Sequence, residues 1–432
     1  MIHEYLEGSA TAINVANRTV TVKLNSLLDD VVSSSEVEPP TLTLGYDHLI
    51  VSVGSRVDDR GVPGADRTLR LKSTDDARRL RTAVGECFEY ASRPDVSSPK
   101  AAKERSRRVT FLIVGGGPTG VELAGELHDL FEDVTRFHKG TYPKLAESVR
   151  VILAHGGPSL VPQFEEALRT EAQKSLQKKG VEVILNTRVT EVGDGYARLS
   201  TKVVDSVTGR PTEEREDSVL PVGLTVWCAG TAPVPFVEDL LSQLAPEARN
   251  YDGRVKVDRW MRPPMNDPAL LGSVLVLGDA AACSGCLGSG DKELPATAQV
   301  AGQQGAYVAR LLDRGYDLQT TPPVLPCMDT ETQDTCDVFY DPALNAWLRF
   351  RGLDLAPPFG FLNLGMLAYL GGGEALSQVQ LGDVPILAWA GSVAFVLWRS
   401  VYLVKQVATR NRILVTFDWI KSTLFGRDMT RL

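Results

Sequence analysis

Hydrophobic and polar positions alternate with a period of two over residues 1–24, marked by Ala12, Val15, Val20, Val22 and Leu24, and this predicts a hairpin of short strands. A polar stretch follows at 25–41, with Pro39 and Pro40, and predicts a surface loop. Gly45–Arg56, GYDHLIVSVGSR, predicts a short strand ending in a small-residue turn. Residues 72–105 predict charged helix with a Pro/Ser break at Arg93–Pro99. The pattern then changes. Val109 to Val114 is an unbroken run of β-branched and apolar residues, the signature of a buried strand. Val121, Leu123, Ala124 and Leu127 open a helix that ends before Lys139, and Val149 to Ala154 is a second strand that completes a βαβ unit.

An amphipathic helix is predicted over 165–179, with Leu168, Ala172 and Leu176 on one face and Gly180 as its stop. Strands are predicted at Val181–Leu185, Tyr196–Ser200 and Leu224–Cys228, the last running into the small-residue turn Ala229–Gly230–Thr231. VLVLGD, Val274–Asp279, reads as a strand ending on an acid. Leu294–Leu312 reads as a helix with Gln299 and Gln303 four apart among Ala296, Ala298, Ala301, Gly302 and Gly305. Pro357–Leu376, rich in glycine and aromatics, predicts strands and turns. Val384–Trp398 is apolar and uncharged for 15 residues, whereas a bilayer-spanning helix needs about 20. Ile413, Phe417, Ile420 and Leu424 recur at helical spacing, which fits either a helix docked on the core or an amphipathic helix lying in a membrane surface. Trp389, Trp398, Tyr402 and the basic excess of the tail favour the second.

At 432 residues the chain has room for two or three domains, and 43% hydrophobic with 23% charged residues permits ordinary cores. The net charge of −8, without a basic aromatic motif, argues against nucleic acid as a partner. The charge is unevenly placed: residues from Arg399 onward carry +5 and residues 1–398 carry −13, so an anionic surface is the expected partner of the tail. Six cysteines in a chain of this length do not make a disulfide framework. Cys283 and Cys286 form a C-x-x-C, but no second pair stands at metal-ligand spacing, so loop residues are expected there and no metal. Residues 1–24 resemble neither a signal peptide nor an Arg/Ser-rich transit peptide.

The candidate chemistry centres on Gly115, Gly117 and Gly120, spaced G-x-G-x-x-G between the strand and the helix. Glycine lets the backbone approach a pyrophosphate, and the free N–H groups of the first helical turn point at it. Strand before and helix after supply the context that a lone glycine motif lacks. Glu122 and Glu126 share one face of that helix. They are either acids suited to the helix dipole or groups that conduct protons beside the bound nucleotide. After the second strand stands His155, followed by Gly156 and Gly157. An acid there would bind a ribose 2′-hydroxyl and repel a 2′-phosphate; histidine neither repels phosphate strongly nor clamps it as arginine does. Asp279 is placed either to bind a ribityl or ribose hydroxyl or simply to cap its strand.

With these residues in hand, the chain resembles the type II NADH:quinone oxidoreductases, single-subunit, membrane-associated flavoproteins of respiratory chains. The resemblance rests on GGGPTGVELAGEL (Gly115–Leu127), LPATAQVAGQQG (Leu294–Gly305), PFGFLNLGMLAYLGG (Pro358–Gly372) and VTFDWIKSTLFGRD (Val415–Asp428), and it runs nearly end to end. The tail is most similar to the mitochondrial branch. The resemblance implies an α/β flavoprotein with two dinucleotide-binding domains of Rossmann-like units and C-terminal amphipathic membrane-binding helices. It implies a remnant of the FAD-binding domain at 1–106, an NAD(P)H-binding domain at 107–235, the second part of the FAD-binding domain at 236–325 and a membrane-association region at 326–432. It implies FAD near Gly54, Ala229, Gly230, Gly278, Asp279 and Ala298. It implies NADH, with NADPH open, on Gly115, Gly116, Gly117, Pro118, Thr119 and Gly120, with His155 at the ribose and Glu122 by the nicotinamide. It implies a quinone near Gln299 and Gln303, a homodimer, and a peripheral position on the mitochondrial inner membrane without proton pumping.

Two departures from the family pattern stand out. The family opens with an FAD-binding βαβ unit carrying its own G-x-G-x-x-G, and this sequence has none, so the FAD pyrophosphate site is expected to be missing. That favours a second reading, a catalytically inactive NADH-binding fragment at a membrane. The other departure is His155 in place of the acid of the NADH-selective members.

Overall fold

A computed structural model describes residues 4–25, 40–93, 98–137, 140–204, 211–284, 293–325, 347, 350–351, 355–381, 384–406 and 408–427. The helices described are α1 (Thr74–Ala91), α2 (Pro99–Arg108), α3 (Pro118–Thr135), α4 (Glu166–Lys178), α5 (Pro235–Gln243), α6 (Ala298–Asp313), α7 (Ser392–Lys405) and α8 (Thr409–Phe425). The chain divides into two units, one of residues 1–56 with 232–363, the other of residues 57–231 with 364–432.

In the first unit the expected hairpin is present: Gly8–Asn14 pairs antiparallel with Thr19–Leu24, and Thr41–Gly45 adds a third strand. Ile13, Val15 and Val20 bury their side chains in the core, and α5 reads the strand edge. There Asp239 and Gln243 accept from the N–H groups of Ile13 and Val15 at 3.0 Å each. Leu49–Val51 pairs parallel with Val274–Val276, whose three residues are all buried. Val255–Val257 pairs parallel with Ala281–Cys283. Arg262 is 1% exposed, and its charge is compensated by Asp258 at 2.7 Å and the carbonyls of Leu318 and Thr320. Thr297 caps α6 by accepting from the Val300 N–H.

Cys283 corrects an expectation. It is a strand residue, buried, and disulfide-bonded rather than a plain loop cysteine. The C-x-x-C spacing hid this, because the strand Ala281–Cys283 is short and its pairing partner is far away in sequence. Cys286 lies outside the described residues, as do most of the 25–41 loop, including Pro39, and positions 94–97 of the Arg93–Pro99 break.

The second unit is built on a parallel five-stranded sheet in the order Leu69–Arg70, Leu224–Trp227, Thr110–Val114, Arg150–Ala154, Glu182–Ile184. Thr110–Val114 is the central strand and every residue is buried, which is why its sequence is an apolar run rather than an alternation. Its side chains still divide by face. Phe111 and Ile113 pack with Phe88 of α1, Val121 of α3 and Leu176 of α4, whereas Leu112 and Val114 pack with Val189, Val192, Leu199 and Trp227. The second face is covered by an antiparallel sheet, Thr187–Gly193, Tyr196–Val204 and Pro211–Pro221, of which only the middle strand was expected from sequence. Residues 57–106 lie in this unit rather than with 1–56, because Leu69–Arg70 pairs with Val226 and Trp227 and Phe88 fills the core beneath the central strand.

The tail also belongs to this unit. Met366–Gly371, Glu374–Leu381 and Val384–Gly391 form an antiparallel sheet, and Ala368, Leu370 and Leu376 join the core against α3. The approach is close: a Cβ on Gly125 of α3 would stand 2.5 Å from the Gly371 nitrogen. The apolar run 384–398 is therefore split, its first part a strand and its second the start of α7, with Gly391 at φ 94° making the turn. Among the described residues no helix is long and apolar enough to cross a membrane.

Candidate active site

In the second unit the glycine turn has the geometry that its spacing implies. Gly115 sits at φ 113°, where side chains are disfavoured, and a Cβ there would meet Ala229 at 2.9 Å. A Cβ on Gly120 would fall 1.8 Å from the Gly115 carbonyl oxygen, so this glycine is what lets α3 pack on its own strand. Gly117 has nothing within 4 Å of such an atom: it borders open space. No side chain caps α3, Pro118 occupies its first turn, and Pro118 and Thr119 are exposed. The free N–H groups of that turn are thus available to an anionic ligand.

His155 is tied to this turn, a relation that sequence alone did not reveal. The Gly116 N–H donates to its Nδ1 at 3.0 Å, and burial pushes its pKa down. The ring is therefore neutral with its proton on Nε2. A Cβ on Gly116 would collide with Leu160 at 2.6 Å and with the His155 ring at 2.8 Å, so glycine at 116 is what makes room for both. On the neighbouring strand end, the Trp227 indole N–H donates to the Ala229 carbonyl at 2.9 Å, and Gly230 adopts φ 76°.

Glu122 and Glu126 lie on one face of α3, as expected, but in different settings. Glu122 accepts from the Tyr369 backbone N–H at 3.1 Å. Burial pushes its pKa above the usual carboxylate range, opposed by this hydrogen bond and by the adjoining Trp398 indole. The Trp398 N–H makes no hydrogen bond of ordinary geometry. Tyr369, Phe395, Trp398 and Tyr402 form a chain of contacting rings, with centroids 4.6–5.3 Å apart at Tyr369–Phe395, Tyr369–Trp398 and Trp398–Tyr402. Glu126 is also pushed up by the surrounding protein, but 48% of its side chain remains exposed and Arg427 pairs with it at 2.7 Å, so solvent tempers the shift.

In the first unit a second group of expected residues converges. Gly54 and Gly278 both have positive φ, 70° and 66°. Asp279 follows the buried strand Val274–Val276 and accepts from Ser55 Oγ at 3.1 Å. Gln304, which the sequence reading passed over, is 1% exposed and accepts from the Gly278 N–H at 2.7 Å, so it fixes the turn that presents Asp279. Ala298 opens α6, and Ala301 lies against Gly278. Gln303 and Leu362 exchange two hydrogen bonds, Nε2 to O at 2.8 Å and N to Oε1 at 2.9 Å. Gln299 reaches the same carbonyl only at 3.5 Å. A cleft of 340 Å³ runs on along α6 past Tyr307, Arg310 and Arg314, walled by Pro357 to Gly360.

These residues fit one half of an FAD. Small residues, left-handed glycines and a carboxylate at a strand end suit a flat ring on a hydroxylated chain. Among the described residues of this unit no glycine turn leads into a helix to receive the diphosphate.

Comparison with known proteins agrees with this geometry. The model of the pyridine nucleotide-disulphide oxidoreductase family matches residues 2–305, and that of the NDH2 C-terminal domain matches residues 363–428. External NADH-ubiquinone oxidoreductase 2, mitochondrial, of Saccharomyces cerevisiae is 30% identical, over 98% of this chain and 69% of its own. The external alternative NAD(P)H-ubiquinone oxidoreductase B1, mitochondrial, of Solanum tuberosum is 29% identical, over 99% of this chain and 78% of its own. Among solved structures, NDH2 from Plasmodium falciparum in complex with NADH superposes with a TM-score of 0.75 at 18% identity, covering 99% of this chain and 85% of that one. The chain belongs to the pyridine nucleotide-disulphide oxidoreductases and, within them, to the type II NADH:quinone oxidoreductases.

Proposed function

We propose that the chain oxidises NAD(P)H and reduces a membrane quinone, without pumping protons, as a peripheral protein of the mitochondrial inner membrane. The observation that carries this is the glycine turn at the centre of the parallel sheet, opening onto an uncapped α3 that bears Glu122. The nucleotide diphosphate lies on Gly115, Gly116, Gly117 and Gly120 and is held by the N–H groups of the first helical turn. Anchoring the diphosphate there fixes the position of the nicotinamide, and this orientation supplies most of the rate. Bound FAD would supply the two-electron chemistry that links nucleotide oxidation to quinone reduction. Gly54, Gly278, Asp279 and Ala298 would hold its ribityl side.

Glu122 is placed to take up and release a proton. Its raised pKa brings protonation and release closer to neutral pH than for an ordinary carboxylate. Gln303 is engaged at both ends of its amide by Leu362, so it positions the loop, and Gln299, weakly bound, is the amide free to donate to a quinone carbonyl. The apolar stripe of α8 and the basic tail hold the protein on an anionic membrane surface. The family reading also implies a homodimer, which sedimentation of the detergent-solubilised chain tests.

The test is the visible spectrum of the purified full chain after incubation with FAD, followed by its anaerobic titration. Bleaching of flavin bands near about 375 and 450 nm by NADH or NADPH, followed by their return on adding a short-chain quinone, is expected. A colourless protein that still binds NADH would instead identify the inactive fragment.

A further inference from the structure

The residue after the second strand of a nucleotide-binding βαβ unit reads the adenosine ribose. His155 stands there, neutral and committed through Nδ1 to the Gly116 N–H. No negative charge is offered by the loop that follows, His155 to Ser159. Two arginines border this loop. The strand carrying Arg188 is held against it, with the Thr187 N–H on the His155 carbonyl and the Asn186 N–H on the Gly157 carbonyl, both at 2.9 Å. The Arg188 stem lies over Gly156, its Cγ 3.7 Å from where a Cβ would stand. Arg188 is exposed, and among the described residues it has neither a hydrogen bond nor an ion pair from its guanidinium. On the other side Arg169, from α4, donates through Nη1 to Ser159 Oγ at 3.3 Å, while its Nε is buried without a partner. Glu165 and Glu166 stand at the start of α4, yet neither pairs with Arg169.

A buried guanidinium nitrogen without an acceptor is unusual, and an exposed guanidinium without a counter-ion borders the same loop, which has no acid. Each is stabilised by an incoming dianion, and guanidinium forks match phosphate oxygens. We propose that Arg188 and Arg169, with Ser159, form a site for the 2′-phosphate of NADPH, so that the chain prefers the phosphorylated nucleotide. The proposal rests on the nucleotide occupying the glycine turn, and it assigns to that nucleotide a substrate class that the glycines leave open. His155 contributes by being uncharged and by holding the turn, while the arginines supply the attraction.

The test is calorimetric titration of the full chain with ADP-ribose and with 2′-phospho-ADP-ribose, which requires no turnover. The phosphorylated ligand is expected to bind on the order of tenfold more tightly, with the ratio shrinking as salt rises. R188A should collapse the ratio. R169K, which keeps charge and length where R169A would leave a hole, should reduce it. Wild-type protein binding the two ligands equally, or ADP-ribose better, overturns the proposal, as does a ratio unchanged in both variants. Binding of neither ligand defeats the nucleotide reading itself, a different result from equal binding of both.

Discussion

The backbone N–H of Tyr369 donates to the Glu122 carboxylate at 3.1 Å, joining residues 247 positions apart. Glu122 is on the helix that leaves the glycine turn, and Tyr369 is on the strand Met366–Gly371 of the tail sheet. One carboxyl oxygen is thereby held in an apolar wall of rings. Burial raises the pKa of Glu122 in the folded chain above its unfolded value. Between those two values the folded chain holds a proton that the unfolded chain has lost, so stability falls as pH rises through that window. Glu122→Gln removes the titration and keeps the acceptor for Tyr369. Its melting temperature relative to wild type should be flat below the ordinary carboxylate pKa and rise towards neutral pH. The same variant should slow NAD(P)H-dependent quinone reduction, most strongly in kcat. A melting difference independent of pH would show that Glu122 is not perturbed.

Asp129, one turn beyond Glu126 on α3, gathers three donors from the tail: the Tyr369 hydroxyl, the Gly372 N–H at 2.6 Å and Arg427 Nη2 at 3.0 Å. Arg427 also pairs with Glu126, and its own N–H donates to Asp133 at 3.1 Å. The Arg427 side chain is 27% exposed and Asp129 13%, so the pair is screened only in part. Arg427→Ala should cost about 1 kcal/mol. The loss should be smaller in high salt and should appear as faster amide exchange in the last turns of α8. An unchanged exchange pattern would mean that the end of α8 is held by its backbone contacts alone.

Gly117 and Gly120 look alike in the motif and differ in the structure. A methyl on Gly120 meets the Gly115 carbonyl at 1.8 Å, whereas one on Gly117, at φ −75°, meets nothing within 4 Å. Gly120→Ala should therefore destabilise the second unit by about 3 kcal/mol or more. Gly117→Ala should melt like wild type and raise the KM for the nucleotide, because its methyl occupies the space the diphosphate needs. Equal loss of stability in both would show that the turn is packed throughout and has no open side.

The inner strands of the central sheet were legible because they are buried on both faces, and the glycines because they obey steric rules that spacing exposes; the short edge strand Leu69–Arg70 was not. Thr110–Val114 and α3 follow directly from Val109–Leu127. The strands Thr187–Gly193 and Pro211–Pro221 were not, since the second is largely exposed and polar and exists through its ladder with Tyr196–Val204. Within the site, Gly115, Gly120 and Asp279 could be picked by pattern. Gln304 could not, although it lies one residue past Gln303: its role depends on the helix rotating that side chain onto Gly278, and no local signal separates two adjacent glutamines. Gln303, expected at a substrate, is engaged by Leu362 for a similar reason, because the loop that meets it is 59 residues away.

The apolar residues of α8 point outward. Ile413, Phe417, Ile420 and Leu424 are 65%, 65%, 53% and 70% exposed, and no residue of the helix is buried. A helix docked on its core would hide these positions. Contact with the rest of the unit passes instead through Trp419, whose ring faces the Arg399 guanidinium at 4.9 Å, through Arg412, which donates to the carbonyls of Val404 and Gln406, and, just past the helix, through Arg427. Four exposed large apolar side chains at helical spacing, beside a tail of net +5, suit the headgroup boundary of an anionic bilayer. Phe417→Glu with Leu424→Glu should leave the melting temperature within about 1 °C, since surface changes rarely exceed about 0.5 kcal/mol. Co-sedimentation with vesicles of mixed neutral and anionic lipid should fall at least about tenfold, because each large side chain loses transfer energy of about 1.5–3 kcal/mol. Turnover with a water-soluble quinone analogue in detergent should persist while turnover with a long-chain quinone in vesicles is lost. Vesicle binding that survives the double substitution would assign the membrane contact to another part of the chain.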